Sequence, residues 1–345
     1  MDQKKQVTSQ DVAYRAGVSR TTVSLVLNNK YEASKISPKT VQKVLNAAAD
    51  LGYVPNAAAQ ALVRRRSGTI GLILSRSHHQ INSDVYLTQV ADSLMQVAHD
   101  NNMRVLLDVL EDVVDEFSYQ RLIQSRQVDG IIFSGPRLDD NALKLLSQVN
   151  FPTVLMGALP SKSFYSVDID NVLAARTATE HLIKLGHSCI ACITNTTPNY
   201  SAASDRLRGY QQALQKHNIV PDDRMVRYGN FDPQSGFRAM NGLLSLNPIP
   251  TAVFVASDVV AYGAMSAINK ADLQIPGDVA VIGFDDVPLS EFFQPRLSTI
   301  HLPIQELAQA AGNLLIQLIN GDTPENRQVL LDTHLVIRES CGAKT

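Results

Sequence analysis

Two hydrophobic periods divide the chain. Between Thr8 and Gly52 apolar residues return every three or four positions, the spacing of one helix face. From Thr69 onward they come as short unbroken runs separated by helical stretches. In the first part Val12, Ala13 and Ala16 share a face of a helix that Thr8 opens, with Asp11 three residues on to complete a capping box. Gly17 stands where the chain must turn sharply and Val18 plugs the turn. Ser19 then caps a second helix, running to about Asn28, whose inward face is Val23, Val26 and Leu27. Its outward face carries Arg20, Thr21, Ser24, Leu25 and Asn28. A third helix opens at Ser37 and Pro38, buries Val41, Val44, Leu45 and Ala48, and ends at Gly52. The pattern predicts a three-helix headpiece over residues 1–53. Residues 54–67 follow as an alanine-rich segment that starts at Pro55 and is too short to be a stable helix by itself.

The later runs are TIGLILS, RVLLDVL, DGIIFSG, PTVLMG, CIACIT, TAVFVAS and VAVIGFDD. Strands that read as continuous apolar stretches, fed by intervening helices, belong to parallel sheets covered on both faces. Their number within residues 68–345 predicts two α/β lobes. Ligand sites in such sheets lie at the carboxyl ends of the strands, so the cleft between the lobes is the expected binding site.

Charge sharpens this division. The 345 residues carry a net charge of -2, 45% hydrophobic residues and no tryptophan, enough apolar content for more than one core. Residues 1–66 hold 11 Lys/Arg against 4 Asp/Glu, and the remainder 20 against 29. The basic end suits a polyanion and the acidic body does not. No apolar run reaches the length of a membrane span, and MDQKKQVTSQ has charge without a hydrophobic stretch behind it, so a cytoplasmic protein with no membrane partner is expected. Three cysteines, Cys189, Cys192 and Cys341, make no disulfide framework.

Several motifs admit a chemical reading and a plainer one. Cys189 and Cys192 spell C-x-x-C, but CIACIT reads as a buried strand, where residues three apart point to opposite faces, rather than as the helix start that a redox pair needs. His78 and His79 adjoin in a polar loop with no third ligand at metal spacing, so no metal is expected. Asp285 and Asp286 could be paired catalytic carboxylates; a ligand acceptor followed by a helix or turn cap is the simpler assignment. No activated nucleophile, phosphate loop or dinucleotide fingerprint occurs, and neither catalysis nor a cofactor is expected. The helix pair could itself be an ordinary hairpin with a wet polar face.

The order D-V-A-x-x-A-G-V-S-x-x-T-V-S-x-V-L-N, Asp11 to Asn28, resembles the headpiece of the LacI/GalR family of bacterial transcription regulators. The resemblance implies that Thr8, Ser19, Arg20, Thr21, Thr22, Ser24, Leu25 and Asn28 meet DNA in the major groove, where side chains reach base edges. The family usually has arginine where Leu25 stands. Leucine offers only apolar contact, for example to a thymine methyl, which predicts a half-site shifted from guanine at that base. Pro55, Asn56, Ala59 and Leu62 match the family's hinge helix, whose leucine wedges into a minor-groove base step; a plain linker would leave that spacing unexplained.

The resemblance further implies a body like a periplasmic binding protein over residues 68–345, with lobe one at about 68–167 and 298–322 and lobe two at about 168–297 and 328–345. Arg206, in R-L-x-G-Y, matches the family's effector arginine, and Asp285 matches an acceptor of ligand hydroxyls. Asp84, Tyr86, Gly157, Ser257 and Asp258 complete the effector set. Gly157 replaces a frequent aspartate, and Ser257 stands where asparagine is usual. Together these imply a repressor that binds a palindromic double-stranded operator as a homodimer and responds to a small-molecule effector, a sugar or sugar derivative, which either releases the protein from DNA or promotes binding. The chain stops at CGAKT with no leucine heptad, so dimers rather than tetramers are expected. The rivals are a small-molecule carrier whose headpiece is vestigial and a sugar-processing enzyme, for which no catalytic constellation is seen.

Overall fold

A computed structural model of the chain describes residues 7–28, 31–32, 34–54, 66–76, 81, 85–110, 116–161 and 163–343. Asn56, Ala59 and Leu62 of the expected hinge, Asp84, and the His78–His79 pair lie outside the described residues. The chain forms two compact units, Met1–Ser67 and Gly68–Thr345.

The first unit has three helices, α1 (Ser9–Ala16), α2 (Arg20–Leu27) and α3 (Pro38–Asp50). Local chemistry fixes each start. Thr8 and Asp11 make both bonds of a capping box, Ser19 accepts from the Thr22 amide, and Ser37 accepts from the Thr40 amide with proline in the first turn. Gly17 closes α1 with φ of 68°, a left-handed conformation that a side chain would strain. Val12, Val23 and Val44, one from each helix, are fully buried, each contributing about 1.5–3 kcal/mol of hydrophobic stabilisation. Leu45 is a correction to the expected stripe. It is 44% exposed, and Ala47 takes its place, because Val44, Ala47 and Ala48 share the face at three- and four-residue spacing that Leu45 misses by one step.

The second unit consists of two lobes, each built on a six-stranded sheet. Lobe one contains β1 (Thr69–Ser75), β2 (Arg104–Leu110), β3 (Gly130–Ser134), β4 (Thr153–Met156), β5 (Tyr165–Ile169) and β11 (Gln328–Leu331), in the order β11-β5-β4-β3-β1-β2 and wholly parallel. Its helices, numbered along the chain, are α4 (Val85–Asp100), α5 (Glu116–Ser125), α6 (Lys144–Gln148) and α11 (Ile304–Asn320). Lobe two contains β6 (Ile190–Thr194), β7 (Val226–Tyr228), β8 (Ala252–Val255), β9 (Ala280–Asp285), β10 (Ser298–His301) and β12 (His334–Val336), in the order β12-β10-β9-β8-β6-β7, with only β12 antiparallel. Helices α7 (Asn171–Lys184), α8 (Ser201–Lys216), α9 (Pro233–Leu244) and α10 (Asp258–Lys270) cover it. Strands β3, β6, β8 and β9 are buried at every residue, the result of helices on both faces.

The chain crosses between lobes three times, and two crossings fall later than the sequence implied. β10 pairs with β9, His301 opposite Asp285, so lobe two extends through residue 301 rather than ending at 297. β11 pairs with β5, Leu331 opposite Ile169, so lobe one holds residues 328–331 that were expected in lobe two. Both are four-residue strands, and β11 is a partly exposed edge; neither has the long apolar run that identifies a central strand. All the parallel strands of both sheets point their carboxyl ends at the interlobe cleft, which positions the ligand site.

Candidate functional site

The headpiece presents its second helix as a capped, partly polar surface. Arg20 and Thr21 are exposed at the start of α2, and Thr22, Ser24, Leu25 and Asn28 are half-buried. The Arg20 guanidinium donates through Nε to Ser9 Oγ at 3.2 Å, which ties it to the first turn of α1. Thr8 and Ser19 are occupied as caps; Asn28 donates to the Ser24 carbonyl at 2.7 Å and closes the helix. Tyr14 on α1 is 90% exposed, an aromatic ring that sequence patterning passed over because it lies off the buried face.

In the second unit the ends of the strands enclose a cavity of about 90 Å³. From lobe one come Arg76 after β1, Tyr86 on α4, Ser134 at the end of β3 with Gly135 after it, Gly157 after β4 and Asp168 in β5; from lobe two come Asn195, Tyr200, Arg206, Phe231, Ser257 and Asp285. The sequence had named Tyr86, Gly157, Arg206, Ser257 and Asp285, and the cavity brings them together. It missed Arg76, Ser134, Asp168, Asn195, Tyr200 and Phe231. For Arg76, Asp168 and Asn195 a signal existed, since each is a polar residue at the carboxyl end of an apolar run; Phe231 and Tyr200 sit in loops with no comparable mark.

Arg206, 7% exposed, organises lobe two's side. It donates from Nε to Asn171 Oδ1 at 2.9 Å and from Nη1 to the Ala256 carbonyl at 2.7 Å, stands 3.7 Å from Asp285 Oδ1, and lies over the Phe284 ring at 3.6 Å. Asp285 receives the Ser257 hydroxyl and the Asp258 amide, yet burial outweighs these donors and Arg206, and its carboxyl is pushed up to about 6. The same desolvation lowers the Arg206 pKa. Asp168 is likewise raised to about 6 by burial, against the Ile169 amide, Arg206 and Asn171. Asn195 Oδ1 is buried with no hydrogen-bond partner among the described residues. Arg76 lies over the Phe231 ring at 4.1 Å. The cavity therefore offers carboxylate and amide acceptors beside guanidinium donors, which suits a ligand bearing several hydroxyls.

Three assignments need revision or a physical reason. Asp258 does not line the cavity: it is fully buried and accepts from Ser290 Oγ at 2.7 Å, Thr299 Oγ1 at 2.7 Å and the Val287 amide at 3.1 Å, with its carboxyl raised by burial to about 8. It is a structural tie beneath the cleft. Asp286 is no helix or turn cap and does not line the cavity; it accepts from Arg338 at 2.7 Å and is paired with His301 at 2.9 Å. Gly157 has φ of 110°, and a Cβ there would lie 2.8 Å from the Pro136 ring, which is why an aspartate at this position would be strained. Cys192 is buried within β6 and burial pushes its thiol up, while Cys189 is half-buried before the strand, contacting the Ile249 carbonyl at 3.6 Å. Among the described residues no three His, Cys, Asp or Glu are grouped to hold a metal ion, and no helix is long and apolar enough to cross a membrane.

A helix-turn-helix unit joined in one chain to a two-lobed α/β body with a polar cleft defines a DNA-binding regulator with a ligand-binding domain. Residues 8–56 match the profile of bacterial regulatory proteins of the lacI family, and residues 179–341 that of the periplasmic binding protein-like domain. The chain is 32% identical over 343 residues to the HTH-type transcriptional regulator CelR of Thermobifida fusca, covering 99% of this chain and 100% of that protein. It is 34% identical over 349 residues to the HTH-type transcriptional repressor CytR of Escherichia coli (strain K12), covering 99% of each. Among solved structures, the Lac repressor dimer bound to operator and the anti-inducer ONPF superposes with a TM-score of 0.84 at 31% identity, covering 98% of this chain and 100% of that one. The complex of the transcriptional regulator CelR with cellobiose gives 0.74 at 31% identity, with 97% and 100% covered. The chain belongs to the LacI family of bacterial transcriptional regulators.

Proposed function

We propose that this protein is a cytoplasmic repressor that binds a palindromic operator as a homodimer and whose operator affinity is set by a sugar or sugar derivative held between its lobes. The observation that carries the reading is the cleft: a buried guanidinium, two carboxylates held near pH 6 and an unmatched amide oxygen face one small cavity, a set of groups that several ligand hydroxyls would complete. Arg206 donates to the ligand while Asp285, Asp168 and Asn195 accept from it, with Tyr86, Gly157 and Ser257 shaping the wall; Asp84, outside the described residues, belongs to the same effector set by family resemblance alone. The cleft binds and does not turn its ligand over.

On the DNA side, Arg20, Thr21 and Leu25 read bases; Thr8, Ser19, Thr22, Ser24 and Asn28 fix and flank the reading helix near phosphate. Asn56, Ala59 and Leu62 form the hinge, with Leu62 as the minor-groove wedge. Two-fold symmetry of a dimer matches a palindromic site, and an effector that prefers one lobe arrangement changes how the two headpieces are presented. The similarity to a repressor dimer solved on its operator and to a regulator solved with cellobiose supports both partners. The test is the Arg206→Ala variant, which should lose any sugar response and keep the operator affinity of the wild type. Loss of neither would show that the cleft is not the effector site.

A further inference from the structure

The interlobe cleft is closed on one side by the three covalent crossings, at the ends of β5, β10 and β11. On the other side the closure is non-covalent. There the loop after β3 runs antiparallel to the segment before α8, with Arg137 opposite Tyr200. The Leu138 amide donates to the Asn199 carbonyl at 2.6 Å, and the Ser201 amide donates to the Pro136 carbonyl at 3.1 Å. The Tyr200 hydroxyl, buried, reaches across to the Ser75 carbonyl at the end of β1 at 2.7 Å, and Asn199 Nδ2 donates to Asp139 at 3.1 Å. In sheet order β3 stands two strands from β5, and β6, which leads into this segment, stands three from β10. At about 4.8 Å per strand the bridge therefore lies roughly 10–14 Å from the crossings.

One of these bonds does a second thing. Ser201 is the first residue of α8, and Tyr200, its N-cap, offers no side-chain cap. The Ser201 amide, one of the orphan amides of the first turn, is satisfied instead by the Pro136 carbonyl of the other lobe. Arg206 sits on the same helix, five residues on, and takes its place against Asp285 from there. We propose that the Pro136–Leu138/Asn199–Ser201 bridge is a latch that holds the lobes together across the mouth of the cleft and, by capping α8 from lobe one, makes Tyr200 a positioning residue for Arg206. Separating the lobes breaks both backbone bonds, releases the Tyr200 hydroxyl and uncaps the helix that presents the arginine. Entry and exit of a cleft ligand then require the latch to open. This rests on the cleft being the effector site for its regulatory meaning, but the latch itself can be tested without effector or DNA.

The experiment is amide hydrogen exchange on the full chain. Tyr200→Phe keeps the ring and removes only the hydroxyl; the Leu138 and Ser201 amides should then exchange about tenfold faster, while amides within β1 and β6 keep their wild-type rates. Unchanged exchange at both amides, or acceleration only in step with β6, overturns the latch. A second variant guards against a folding defect. Arg137 and Tyr200 are a non-hydrogen-bonded antiparallel pair, for which Cα atoms stand about 4.5 Å apart, within disulfide range. In Arg137→Cys/Tyr200→Cys the oxidised form should protect the first-turn amides of α8 at least tenfold over the reduced form. Equal protection in the two forms shows that closure of the mouth does not hold the Arg206 helix. A latch that passes both tests in a protein that answers to no sugar would instead count against the effector reading alone.

Discussion

Removing Arg206 should destabilise the two-lobed unit in a way that depends on pH. Its partner Asp285 is pushed from the ordinary 3.8 to about 6 by burial, so even with Arg206 present the ionised carboxylate costs about 3 kcal/mol at neutral pH. The sign follows from linkage: a carboxyl raised in the folded state penalises folding above its folded pKa, and the penalty is relieved as pH falls through 6 toward 3.8. Without the guanidinium the carboxyl can still take a proton. The added penalty at pH 7.5 is therefore limited to about 2 kcal/mol, the free energy of protonating a group of pKa 6 there, and it vanishes below pH 6. A part independent of pH comes on top, because Asn171 Oδ1 and the Ala256 carbonyl each lose a buried donor at about 1–3 kcal/mol. Arg206→Ala should thus lose about 4 kcal/mol or more in urea unfolding at pH 7.5, and about 2 kcal/mol less at pH 5.5. An equal loss at both values, or a loss under about 1 kcal/mol at pH 7.5, would refute the buried ion pair as the element that holds this side of the cleft.

Three further outcomes follow from particular residues. A ligand whose hydroxyls donate to Asp168 and Asp285 prefers both ionised, so its affinity should fall as pH drops through about 6, with protons released on binding; calorimetry in two buffers that shows no proton release contradicts it. Asp258→Ala removes the shared acceptor of Ser290, Thr299 and the Val287 amide and should cost about 3 kcal/mol or more in thermal unfolding, whereas Asp258→Asn should cost less, because the carboxyl, raised to about 8, is mostly protonated at neutral pH. Equal losses would show that its charge matters. Leu25→Arg should move the preferred base at its position toward guanine by about 1–3 kcal/mol in selection from a random duplex pool; an unchanged consensus would show that this side chain does not face a base.

Much of the headpiece was legible because its starts and turns are encoded within a few residues: Thr8 with Asp11, Gly17, Ser19, and Ser37 with Pro38 each act on their own neighbours. The central strands were legible because burial on both faces leaves a continuous apolar run. What escaped depends on long-range pairing. β10 and β11 are four-residue strands whose lobe is decided by partners at Asp285 and Ile169, and nothing local records that choice. Asp286 looked like a turn residue, yet its partners are His301 and Arg338, 15 and 52 positions away. Asp258 was placed at the ligand by likeness to a family motif, whereas its three donors turn it beneath the sheet. Asp168 was overlooked although it is the penultimate residue of β5, near the carboxyl end that faces the cleft, where a polar residue is a natural ligand contact.

The central claim is that one chain reads a DNA site and answers to a small molecule in the cleft. The most direct measurement is binding of the purified full-length protein to a library of palindromic duplexes, at several salt concentrations, with and without a panel of sugars, sugar phosphates and nucleosides. A preferred palindrome whose affinity falls steeply with salt, and one polyhydroxylated compound that shifts it in the wild type but not in Arg206→Ala, is the result predicted. Binding that prefers no sequence at any salt concentration, or a preferred site indifferent to every compound that the cleft is shown to hold, would contradict it.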